Sequence, residues 1–532
     1  MGPVVGNSNK KIRAASGGRP TRRDVLALAA LGAAAGAAGP RAAFAAGPAG
    51  QLTYGIHVSI APTWFDPAET QGIITPFMVM YALHDAMVKP MPESLQAPCL
   101  AESFNESADA KSYEFVIRKN VTFHNGDPVT SEDVKFSFDR YKGAAHDLMK
   151  SKVASIETPD PQRVIFHLKE PWPDFLTFYS SASGSGWVVP KKYVEKVGDE
   201  GFKAAPIGAG PYKFVSFKPG VELVLEAFEG YWRKMPKVKT LVMKVIPDEA
   251  TRLAALKRGE VDIAYSVRGE LAQEIEQTKG LTLKPVVLQG PNWLYFPEQW
   301  DPKSPWSNLK VRQAVNLAID RVGMSEALFR GKCKVTNNAV VPYTFEYYWQ
   351  PPDAVYDPEK AKKLLAEAGY PNGFDAGVMT CDSSYANMAE VSVNNLQAIG
   401  ITVKLQPIER AGFFAGYGSK KYTKGIIQAA SAAFGNAATR MASFVIKDGA
   451  FCYGNYPDID ELYPKQADEL DKKKRGELLH KMQQLVHEKA MYVPIWQLAF
   501  LSGVGSRVGE SGFGLIPGFA YTAPFEDLTI KT

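Results

Sequence analysis

Four cysteines in 532 residues are too few and too widely spaced for a disulfide scaffold or a zinc cluster. Cys99, Cys333, Cys381 and Cys452 read as small buried thiols, and a bridge among the last three stays open in an exported protein. Histidine is also scarce, at seven. No P-loop, HExxH, CxxC or EF-hand pattern is present, so the usual marks of nucleotide, zinc and calcium chemistry are missing. Long apolar runs are missing as well. The stretch from Val25 to Ala38 falls short of the roughly 20 residues that span a bilayer.

The positive net charge is misleading. Seven of the 61 basic residues but only one of the 56 acidic ones precede Ala46, which leaves the remainder one charge on the acidic side of neutral. A basic face for nucleic acid is therefore not indicated.

That basic start is what is there instead. Thr21-Arg22-Arg23-Asp24-Val25-Leu26 precedes a short Ala/Gly-rich apolar stretch, and Ala43-Phe44-Ala45 offers small residues for cleavage before Ala46. This reads as a twin-arginine (Tat) export signal over 1–45, with Sec export as the alternative. No cysteine follows the apolar stretch, which argues against a lipid anchor.

Residues 207–263 read strand, strand, strand, helix, strand. Tyr212 and Phe214 alternate with Lys213 and Val215; Val221, Leu223 and Leu225 alternate again after Lys218-Pro219-Gly220. Asp248 reads as an N-cap, with Ala250, Leu253 and Leu256 on one helical face and Gly259 at the end. Elsewhere, Pro76 to Val88 is apolar enough for a helix. Thr130 with Asp133 reads as a capping pair, and Asp357-Pro358 as a helix start. A helix from about Asn387 to Ile399 leads into a strand at Ile401. His124, alone beside Asn125-Gly126, reads as a hydrogen-bonding turn residue. His480 and His487, on a late helix, read as solvated.

Three blocks carry a resemblance: GAGPYKF from Gly208, EGYW from Glu229, and VIPDEATRLAALKRGEVDI from Val245. NLKVRQAVNLAIDR and YDPEKAKKLLAEAGYPNGF extend it along the chain. Together they resemble the family 5 extracellular solute-binding proteins, the dipeptide, oligopeptide and nickel type that feed ABC importers. The resemblance implies an α/β, two-lobed periplasmic-binding-protein-like fold of cluster C type, with mixed sheets joined by hinge strands. It implies a first lobe over 46–85 and 191–292, an inserted subdomain over 86–190, a second lobe over 293–496, and a return to the first lobe over 497–532. Gly290 to Phe296 and Tyr492 to Trp496 would be the crossings. No catalytic residue, metal or cofactor is implied. The partners implied are a small-molecule or short-peptide ligand and inner-membrane permease subunits, with no nucleic acid, for a monomer in the periplasm. An exported hydrolase on an α/β scaffold and a nickel or haem carrier are the alternatives.

The resemblance places the ligand between the lobes. Trp64, Trp293 and Tyr295 are the expected stacking faces. Asp382, Tyr385 and Asn436 are the expected polar contacts, with Phe434 beside them. Two departures from the peptide binders stand out. The run from Gln428 to Asn436 lacks the acid that pairs with a peptide amino group, and Asp382 stands where dipeptide binders carry an arginine. An acid in that place favours a ligand with a cation or hydroxyl groups.

Overall fold

The computed structural model describes residues 47–531 apart from 71–74, 144, 183 and 432–434. The expected export signal lies outside the described residues. β1 (Ala49–Ile56) opens the main sheet, and its last five residues are all buried, as suits a central strand covered on both faces. α1 (Phe77–Leu83) follows. The apolar pattern predicts this helix as far as Val88, but it stops at His84. That residue turns extended, and its buried ring lies 3.0 Å from the Phe65 carbonyl oxygen.

The inserted region builds its own layer. β2 (Ala101–Glu106), β3 (Ser112–Ile117), β4 (Val153–Asp160) and β5 (Arg163–Leu168) form an antiparallel sheet in the order β2-β3-β5-β4. α2 (Ser131–Asp139) lies between β3 and β4 in the chain. It starts on the predicted capping box, with Thr130 and Asp133 bonded reciprocally. Tyr113, Phe115, Phe166 and Phe175 fill a separate core beneath that sheet.

The chain then returns to the main sheet through β6 (Tyr212–Lys218), β7 (Glu222–Ala227) and β8 (Val238–Val245). Gly208 and Gly210 explain that path. A Cβ on Gly208 would lie 1.9 Å from the Leu83 carbonyl oxygen, and one on Gly210 would lie 2.6 Å from that of Ala82. Only glycine lets the backbone press against the end of α1. His124 joins there, with Nδ1 accepting from the Gly208 N–H at 3.2 Å and Nε2 donating to the Gly210 carbonyl at 2.9 Å. Burial lowers its pKa to about 3, which keeps the neutral ring that this pair of bonds requires.

α3 (Glu249–Lys257) begins at Asp248, whose side chain accepts from the Thr251 N–H. β9 (Ile263–Ala264) follows. Two long strands then tie the molecule together: β10 (Thr282–Tyr295) and, near the end of the chain, the antiparallel strand Tyr492–Val504. Between them in sequence come β11 (Phe374–Asp382), β12 (Ile401–Ile408), β13 (Ile426–Ala430), α4 (Ala437–Phe444) and α5 (Lys472–Glu488); the late strand is β14. The main sheet runs β6-β7-β8-β1-β9-β14-β10-β13-β11-β12. One sheet therefore continues through both lobes, and among the described strands β10 and β14 lie at its middle, where the two halves join.

The β10/β14 ladder is regular from Thr282↔Val504 to Val287↔Ala499 and resumes at Pro291↔Gln497. Leu288, Gln289 and Gly290 therefore face a single residue, Leu498. Pro291 has no N–H to give the ladder. A bulge of this kind bends a strand and loosens pairing locally, which is where a hinge between two lobes needs compliance. All four cysteines are free and buried.

Candidate functional site

The predicted site residues fall into different surroundings. Trp293 and Tyr295 sit on β10 and have no exposed face. The Trp293 ring meets Phe444 edge-on at 5.2 Å, with Arg440 5.8 Å from its centroid. Tyr295 stacks on Tyr492 at 4.8 Å, and its hydroxyl accepts from the Tyr453 N–H at 2.8 Å. Both rings are filled on all sides by the second lobe's core, so the structure gives them packing rather than stacking on a solute. Trp64 lies in a short 3₁₀ turn and leans on the first lobe's core. Phe434 lies outside the described residues.

Asp382 is the last residue of β11 and is buried. Its Oδ1 accepts from the Ser384 N–H at 2.9 Å, and its Oδ2 lies 2.6 Å from Arg410 Nη1. Register explains the pair: Asp382 lies beside Ile408 at the end of the neighbouring parallel strand, two residues before Arg410. The carboxylate is thus neutralised within its own lobe, and the half-exposed guanidinium is the outward group. Tyr385 follows at the start of the next helix. It and Arg410 lie within electrostatic reach of Tyr521, on the returning chain. The His57 ring, just past β1, lies tilted against Tyr521 (5.7 Å) and Phe500 (5.9 Å). Burial and then the nearby Arg252 and Arg268 lower its pKa to about 4, so it presents a neutral ring. These groups gather at the carboxyl ends of the parallel strands, where open α/β sheets bind ligands.

Asn436 is fully buried and caps α4. Its Oδ1 accepts from the Thr439 N–H, and the Thr439 hydroxyl pairs with the Asn436 backbone. Gly435 precedes it at φ +141°, where a Cβ would lie 2.2 Å from Thr439 Oγ1. Asn436 and Gly435 line a cavity of about 340 Å³ between the lobes. Gln96 and Thr177 of the inserted region, Gln289 of the β10 bulge, Thr344 and Glu346 of the second lobe, and Phe519 of the return are among its other lining residues. Gln289 is only 3 % exposed, and its Nε2 has no hydrogen-bond partner among the described residues; Thr344 Oγ1 has none among them either. Buried polar atoms are rarely left so, and here both border an opening able to admit a solute.

Gln289, Thr344 and Glu346 escape sequence reasoning because no motif marks them. The only pointer is the Gln-Gly-Pro at 289–291, a break in an otherwise apolar strand.

"Bacterial extracellular solute-binding proteins, family 5 Middle" describes residues 96–451 of this sequence. The chain belongs to that family. Among its relatives, heme-binding protein A of Haemophilus influenzae is 28% identical over 466 residues, 78% of this chain and 82% of the relative. The dipeptide-binding protein of Escherichia coli is 28% identical over 440 residues, 74% and 79% of the two chains. The solved structure of AgaA from A. tumefaciens R10, in complex with agropinic acid, aligns with a TM-score of 0.68 and 27% identity, over 91% of this chain and 99% of that one. The fold is accordingly that of a two-lobed periplasmic binding protein.

Proposed function

We propose that this family 5 protein is exported with a cleaved signal and captures a small peptide-like or other polar organic solute in the cavity between its lobes. It then delivers the solute to the permease subunits of an ABC importer in the inner membrane. The observation that carries this reading is the cavity itself. The inserted region, the β10 bulge, the second lobe and the returning chain all contribute to its wall, and two buried polar atoms on that wall, Gln289 Nε2 and Thr344 Oγ1, lack partners among the described residues. A solute bound there touches both lobes and so favours their closure. The protein binds and releases its solute unchanged; no chemical step is assigned to it. Similarity to a dipeptide binder and to a protein holding agropinic acid supports a compact organic solute that carries hydrogen-bonding groups.

A thermal-shift panel of dipeptides, glutathione, sugar-amino acid conjugates, sugars and polyamines tests the reading, because binding to the folded state alone raises the melting temperature. The stabilising solute is then titrated calorimetrically against Gln289→Leu, which keeps side-chain bulk but removes the free amide. An affinity loss of about tenfold is expected for one lost buried hydrogen bond. No stabilisation by any member, or an unchanged affinity in Gln289→Leu, counts against this site.

A further inference from the structure

Asp174 belongs to the inserted region, at the turn after β5, and its side chain takes no part in capping that turn. Both of its oxygens point to the second lobe instead. Oδ1 accepts from Asn436 Nδ2 at 2.5 Å, and Oδ2 from Arg475 Nη2 at 2.7 Å. The sequence separations are 262 and 301 residues. Arg475, on α5, is almost fully buried and is held from behind: its Nε donates to the Gln466 carbonyl oxygen at 3.1 Å, and Tyr347 lies beneath the guanidinium at 5.5 Å. Asn436 is fixed by its capping box. The second lobe thus carries a rigid cation-plus-amide receptor for one carboxylate, and the first lobe supplies that carboxylate.

The place of this contact matters. Asn436 lines the 340 Å³ cavity, and Arg475 lines a neighbouring one of about 210 Å³. Gln96 and Glu346 line both. Asp174 bonds one residue of each wall. Its two sides belong to different parts of the chain, so an opening rotation that moves the inserted region from the second lobe breaks it. When the lobes part, both Asp174 and Arg475 return to water, and the bonds are lost without leaving a stranded charge.

We propose that Asp174, Asn436 and Arg475 form a latch that the protein itself supplies, which sets how much of the population is closed before any solute contributes. Asp174 is a positioning residue: it touches no solute, and it acts by holding Asn436 and the cavity wall in place. Apparent affinity equals intrinsic affinity multiplied by the binding-competent fraction, so losing the latch weakens every solute by the same factor. A residue that contacts the solute would weaken different solutes unequally. The inference rests on reading the cavity as the solute site, but its decisive measurement needs no solute.

The measurement is a distance between the lobes. Spin labels go on exposed Glu102→Cys and Lys481→Cys, on the inserted sheet and on α5; the four native cysteines are buried and escape labelling. Double electron–electron resonance on solute-free protein should give one dominant short distance. Asp174→Asn and Arg475→Met should each move population to longer distances. Matching distributions in parent and both variants overturn the latch, and so does a change in only one variant, since either partner alone is sufficient to undo the pair. For any solutes found by thermal shift, Asp174→Asn should lower affinity about tenfold or more, by one common factor. Losses that differ from solute to solute would make Asp174 a contact residue and would also overturn the proposal. Failure of the functional reading shows separately, as absence of binding in a protein whose distances still respond.

Discussion

Asp174 and Asp382 are each a poorly exposed carboxylate with an arginine nitrogen within 2.7 Å, but one pair crosses the cleft and the other stays inside a lobe. The difference decides what each pair can do. Asp382 is tied to Ser384 and Arg410 of its own lobe, so opening leaves it unchanged, and its contribution is to the fold. Asp174 loses both partners on opening, and its contribution is to closure. Proximity of charge alone does not separate these roles; the lobe to which each partner belongs does.

The largest expected effect comes from Asp382→Ala. It removes a cap and a charge-assisted bond together, while Arg410 is exposed enough to rehydrate. The free energy of unfolding should fall by about 2–3 kcal/mol. Asp174→Asn should lower it by less, about 1.4 kcal/mol, the equivalent of a tenfold loss of the closed state, since the open form hydrates that pair. Urea unfolding of the two variants reads both values. The reverse ranking would break the contrast.

Histidines sharpen it with pH. His84 is fully buried beside α1, and burial lowers its pKa to about 4. The unfolded state therefore binds the proton more readily between pH 6.5 and 4. Stability is intact above the unfolded pKa and declines as pH falls through that window. From pH 7 to pH 5 the loss from this one residue is about 2 kcal/mol. His84→Gln should flatten the slope by that amount. Because His84 lies in the first lobe, the solute-free interlobe distance at pH 5 should match that at pH 7 as long as the protein stays folded; a shift would mean that pH acts on the cleft.

Local chemistry was legible in the sequence, and distant chemistry was not. The caps at Thr130, Asp248 and Asp357 involve atoms three residues apart, so short motifs betray them. The close approach at Gly208 and Gly210 announced itself through glycine. The family blocks announced the two lobes and the crossing strands. Asp174 and Arg475 are 301 residues apart in unrelated contexts, and no local pattern can pair them. The Asp382–Arg410 bond becomes visible only once β11 and β12 are set in parallel register. The resemblance put Trp293 and Tyr295 at the crossing between the lobes, but it could not say that their rings are buried in core. Asn436 reads as a polar contact in sequence; the structure puts it on the cavity wall, with its Oδ1 engaged by its helix and its Nδ2 by Asp174.

Trp293→Phe carries the smallest expected effect. The indole is fully buried, and among the described residues its Nε1 finds only the Tyr417 hydroxyl, without a well-formed hydrogen bond. Phenylalanine leaves a small void, which costs about 1 kcal/mol at roughly 24 cal/mol per Å³. It also relieves a poorly satisfied N–H, whose burial costs up to about 1 kcal/mol. The two terms oppose each other, so stability should stay within about 1 kcal/mol of the parent. Solute affinity should not move, because the indole is fully buried among Phe444, Tyr492 and Arg440. A stacking ring at the solute would behave otherwise: its truncation would weaken binding several-fold while leaving unfolding alone. Calorimetric titration beside urea unfolding separates these patterns, and an affinity loss at constant stability would return Trp293 to the cleft.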